Sequence, residues 1–176
     1  MSGGGKRKAE RPYQSDSPPA NDPELGLLVA MLDEAFDRKS WHGPNLRSSL
    51  RGVTPEQAAW RPAPGAHNIW EYALHVAYWK YIVHRKLTVE KRGSFPLRGS
   101  NFFPRPEDPG QAAWKKDLAL LTEQHQDLRR TIVELRRDEK KRKQQLFLIR
   151  GAAAHDLYHA GQIRLLRRLM AIQPPD

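Results

Sequence analysis

Two histidines set four residues apart, His155 and His159, lie in the C-terminal segment AAAHDLYHAGQIRLLRRLM. Four residues is about one helical turn, so on a helix both imidazoles point the same way and can share one metal ion. At roughly 100° per residue they fall in an apolar stripe with Leu148, Ala152, Ile163 and Leu166. Polar rings in such a stripe need a metal or hydrogen-bond partners, because each costs about 1–3 kcal/mol when buried unpaired. A third histidine, His75, flanks the apolar face of an earlier helical segment, beside Tyr72 and Trp79. Metal sites in helix bundles are built this way, from inward side chains on facing helices. The pattern fits equally well with core histidines satisfied by Gln162, a tyrosine or the backbone, and the spacing leaves both readings open.

Other side chains could support such a centre. Glu71, one turn before His75, can orient a ligand or shuttle a proton, or it can be a plain surface carboxylate. Gln162, three residues past His159, falls nearer the stripe than Asp156 and is the better supporting group. Tyr72, Trp79 and Tyr158 can wall a pocket or simply belong to the core. His125 occupies an apolar slot of its own, as a further ligand, a pocket wall or a satisfied core residue. His84 reads as surface, while His42 and His67 stand at helix entrances where they can edge a pocket.

Composition narrows the chemistry. The 176 residues contain no cysteine, which excludes disulfides, thiolate zinc sites, iron–sulfur clusters and a cysteine nucleophile. A metal must then be held by histidine, carboxylate or backbone oxygen. No run of about 18 apolar residues predicts a membrane span. The N-terminal MSGGGKRKAERPYQSDSPPAND has no apolar stretch after its basic residues and does not read as a secretory signal, so a cytoplasmic location is expected. The formal net charge of +10 concentrates between Arg129 and Lys143. That stretch resembles a phosphate-binding footprint, but without interleaved aromatics it reads as a solvated helix end rather than a nucleic-acid surface.

The elements that must position these residues are helical. Residues 1–22 read as a disordered polar tail, and a single domain spans 23–173. Leu25, Leu28, Val29, Leu32 and Phe36 predict a first helix to about Lys39. Short helical pieces follow, one ending at Leu50 and one capped by Thr54 with Gln57. Asn68 can cap a second long helix whose apolar face includes Ile69, Tyr72, Val76, Trp79 and Val83. The next segment, 92–110, holds four prolines and three glycines, too extended for a hairpin of adjacent helices. Trp114, Leu118, Leu121, His125, Leu128, Ile132 and Leu135 then mark a bundle helix from Gln111 to Arg137. The last helix runs from about Lys143 to Ile172. Small residues around its histidine pair (Gly151, Ala152, Ala153, Ala154, Ala160, Gly161) would let a neighbour approach closely. The expectation is an all-α four-helix bundle with one long crossover and short extra helices between the first two long ones.

The runs WHGPNLRSSLRGVTPEQAAWRPAPGAHNIWEYALHVAYW and HDLYHAGQIRLLRR resemble the DinB/YfiT-like superfamily of bacterial four-helix bundles over about Leu25 to Met170. The resemblance implies a divalent metal held by His75, His155 and His159, and the nitrogen donors point to zinc or nickel. It also implies a homodimer and a small-molecule substrate. Relatives include metal-dependent hydrolases and enzymes that use a low-molecular-weight thiol, and many members have no assigned reaction. The alternative expectation for this chain is a non-catalytic stress-response or binding module with a structural or absent metal. Three imidazoles leave coordination positions open, which suits a catalytic site better than a structural one.

Overall fold

The computed structural model describes residues 22–89, 91, 95–105, 108–135 and 138–172. The polar tail expected over 1–22 therefore lies outside the described residues, apart from Asp22. Among the described residues there is no strand, and the chain is all-helical. The helices are α1 (Pro23–Phe36), α2 (Leu46–Leu50), α3 (Pro55–Ala59), α4 (Ile69–Thr88), α5 (Gln111–Glu134) and α6 (Arg142–Ile172). No helix is long and apolar enough to cross a membrane.

Local chemistry starts the helices where expected. Asp22 accepts from the Leu25 amide with Pro23 in the first turn, while Asn45, Thr54 and Asn68 each open a reciprocal capping box. α1 stops at Phe36, three residues short of its expected end. α5 ends at Glu134, and Arg136 and Arg137 lie outside the described residues.

Paired contacts give the directions of the long helices. Trp70 meets Trp114, Lys80 meets His125 and His84 meets Thr131, so α4 and α5 run side by side in the same sense. The connecting segment retraces α4: Phe95 packs on Tyr78 and Tyr81, Asn101 reaches His75, and the Arg105 carbonyl accepts from Asn68. α6 runs against α4, with His159 at His75 and Asp156 at Lys80. α1 runs against α5 and pairs its start with the start of α6 through Arg142, Asp22 and Glu24.

α1 and α5 bury the faces expected of them, whereas α4 and α6 differ from expectation for a physical reason. α4 is covered by α3, α5, α6 and the connecting segment, so Trp70, Ala73, Leu74 and Ala77 are buried as well as the expected Ile69, Val76 and Val83, while Trp79 is exposed. On α6 the expected Ala152, His159, Ile163 and Leu166 are buried, and burial extends to Ile149, Ala153, Asp156 and Ala160 beside them. Leu148 is half-buried, and His155 stands at the edge of the buried face. Gly151, Ala154 and Gly161 face outward, so these three do not mediate close helix contact.

The apolar interior falls into two clusters, one around Trp70 and Trp114 and one around Leu32, Leu128 and Ile149. Between them Lys80, His125 and Asp156 form a buried polar layer, one residue from each of three helices. The expected basic footprint is also partly internal. Arg129 is buried against Asp33, and Arg142 against Asp22 and Glu24.

Candidate metal centre

The antiparallel pairing of α4 and α6 brings together the three histidines singled out above. Nε2 of His155 lies 3.1 Å from Nε2 of His75 and 3.1 Å from Nε2 of His159. Nitrogens about 2.0–2.1 Å from a tetrahedral zinc stand about 3.3 Å apart, so this spacing fits one shared ion. His75 and His159 are buried and His155 is half-buried, which leaves one side of the cluster reachable. Among the described residues, no other group of three or more such side chains converges in this way.

Neighbouring groups fix how the rings are presented. Nδ1 of His75 donates to the Asn101 carbonyl at 3.0 Å, which leaves Nε2 as a lone pair directed at the other two histidines. Asn101 adopts a left-handed backbone (φ 68°) that asparagine tolerates, and its side chain accepts from the Trp79 indole. Phe102 stacks on His75, with ring centroids 4.0 Å apart. Nδ1 of His159 is buried without a hydrogen bond, and so is Oε1 of Gln162. Gln162 nevertheless favours the protonated ring of His159, against the lowering by burial. That is the support a ligating histidine ordinarily receives.

The electrostatics keep the cluster neutral. Burial pushes His155 down to about 3 and His159 down to about 4, with neighbouring histidines adding to both shifts. Burial also lowers His75. Neutral imidazole is the form a metal requires. His125 is pushed far down by burial and by the Lys80 charge. An unfolded chain takes up these protons below its ordinary value of 6.5, whereas the fold refuses them until the pH approaches the lowered values. Stability of the metal-free protein therefore falls as pH drops below 6.5, by up to about 1.4 kcal/mol per pH unit for each such histidine. Urea unfolding at pH 7, 6 and 5 checks this, and a flat midpoint across that range contradicts it.

Glu71 is placed differently from a proton shuttle. Its carboxylate is gripped by the Arg61 guanidinium in two-pronged fashion, lies 2.9 Å from Nδ1 of His67, and accepts the Arg105 amide. Burial would raise its carboxyl, but the bonds from Arg61, His67 and Arg105 outweigh burial and hold it at about 2. Glu71 is thus neither a surface carboxylate nor in contact with the three histidines. Its link to them is indirect, since Phe102 stacks on both His67 and His75. His84 is half-buried and meets the Thr131 hydroxyl, whereas His42 edges a shallow cavity with Arg164 and Arg168.

Two features were not foreseen. Lys80, 2 % exposed, donates to Asp156 at 2.5 Å and lies 3.3 Å from Nδ1 of His125, whose ring stacks on Phe36. The signal was there: a lone lysine amid the apolar residues of α4, and an aspartate between two inward histidines. The Asn101 clip had no such signal, because nothing in the Gly–Ser–Asn run names its partner. A cavity of about 240 Å³ opens beside His155, walled by Trp79, Ile82, Val83, Leu148 and Ala152.

A family model described as the DinB superfamily matches residues 40–163. No curated protein and no solved structure is a significant match to the chain.

Proposed function

This chain belongs to the DinB superfamily, and on that premise we propose that it is a divalent-metal enzyme acting on a small molecule. The reaction is hydrolysis or a thiol-dependent transfer. The convergence of the Nε2 atoms of three neutral histidines, next to an apolar cavity, carries this reading. The arrangement of α1, α4, α5 and α6 is then the family's four-helix bundle, with the segment after α4 as its long crossover.

His75, His155 and His159 would hold the ion, zinc or nickel by donor type. When bound, the ion supplies Lewis acidity and lowers the pKa of a coordinated water or thiol. The remaining residues orient and exclude. Asn101 holds the His75 tautomer, and Gln162 stands against Nδ1 of His159. Phe102 and Tyr72 cover the cluster on the crossover side. Glu71 fixes the start of α4 and, through His67 and Phe102, the ring of His75. It acts as a positioning residue.

The test is metal content by mass spectrometry on untagged protein purified without chelator, followed by a panel of ester, amide and electrophilic substrates with and without added thiol. Close to one equivalent of a transition metal per chain is expected. Turnover that needs thiol selects the transferase. Absence of metal after incubation with zinc and with nickel would sink the reading.

A further inference from the structure

The cavity that begins at His155 runs away from the histidine cluster between α4 and α6. Because those helices are antiparallel, Lys80 lies at the His155 end, and Lys86 and Phe147 lie at the other. From His155 to Leu148 is about 10 Å along α6. No carboxylate is among the described residues that line it. Lys80 is neutralised by Asp156, so the exposed Lys86 is the cation that faces an incoming molecule. The volume, about 240 Å³, is enough for a ring with a short chain, since a dry cavity of about 150 Å³ already admits benzene.

Gly151 also lines this cavity. A glycine inside a helix weakens it relative to alanine. Close packing does not require one here, because a Cβ at Gly151 would meet nothing within 4 Å. What the missing side chain does is keep the α6 wall of the cavity open.

We infer that this cavity receives the apolar body of a small organic acid, with the anionic group at Lys86 and the opposite end at His155. The assignment of a substrate rests on the proposed function of the metal centre.

Calorimetric titration of the full chain with 3-phenylpropionate, and with neutral 3-phenylpropanol, tests it with and without metal. Both probes should bind the native protein. Gly151→Leu fills the cavity and should weaken both more than about tenfold, while metal content stays and the thermal midpoint rises by about 2–4 °C. Lys86→Glu should weaken the acid about fivefold and leave the alcohol within about twofold. Undiminished binding to Gly151→Leu, or equal effects of Lys86→Glu on the two probes, overturns the assignment. A native protein that holds metal but binds neither probe overturns the cavity reading alone. Probe binding that Gly151→Leu abolishes, in a protein that never takes up metal, keeps the cavity and removes the metal function.

Discussion

Asp156→Ala lowers the unfolding free energy by about 3–5 kcal/mol, a large fraction of what a domain of this size possesses. The reason lies in what remains. Lys80 is 2 % exposed, and without Asp156 its ammonium faces, among the described residues, His125 and the ring of Phe36, 5.0 Å from its centroid. Neither can neutralise a charge that water does not reach. The expectation for the pair is different from that for either member. In a Lys80→Met background Asp156 is itself the buried charge left without a partner, so the same Asp156→Ala change removes that penalty and costs about 0–1 kcal/mol or stabilises. A double-mutant cycle by urea unfolding measures the difference. Additive effects, or a cost below about 1 kcal/mol for Asp156→Ala alone, would show that the layer is not an interdependent pair.

His155→Ala empties the centre while sparing the fold. His155 is the ligand at the edge of the core, and its only hydrogen-bonding contacts within the described residues are the two other Nε2 atoms. Its loss should reduce bound metal from about one equivalent to under about a tenth, with little change in the urea midpoint of the metal-free protein. His75→Ala should remove metal too. It also abandons the Asn101 carbonyl and the Phe102 ring, and so costs about 1–2 kcal/mol of stability in addition. Glu71→Gln supplies the contrast: weaker folding, because Arg61 and His67 lose their anion, but metal retained. A full equivalent on His155→Ala would falsify the three-histidine assignment.

How much of this was legible in the sequence depended on how local the determining physics is. Helix starts were readable because a capping box needs only residues three apart, as at Thr54 and Gln57 or Asn68 and Glu71. The pair His155 and His159 was readable for the same reason, being one turn apart on one helix. His75 could be named because it flanks an apolar face, and its partnership with the other two came from the family resemblance. What periodicity could not supply was how far the buried face of α6 extends around its axis. Burial extends past the stripe to Ile149, Ala153, Asp156 and Ala160, which makes Asp156 the most enclosed carboxylate of the site region and leaves Leu148 and His155 on the rim. For α4 the difficulty was opposite: with neighbours on several sides it has no single apolar stripe, so Lys80 looked like any polar interruption. Asn101 was out of reach, since a main-chain carbonyl from a connecting segment leaves no trace in side-chain pattern.

The pairing of α1 with the last two long helices has a consequence for how the chain comes to fold. Asp33 finds Arg129 across a sequence separation of 96 residues, and Asp22 finds Arg142 across 120. An up-down bundle closes each helix onto the one just made, whereas here the first long helix is completed by the last. During synthesis the apolar side of α1 lacks most of its native cover until α5 and α6 have left the ribosome. High contact order of this kind slows folding relative to a bundle of sequential neighbours. The interval in which Leu25, Leu28 and Leu32 lack most of their native cover therefore lasts until α6 has been made.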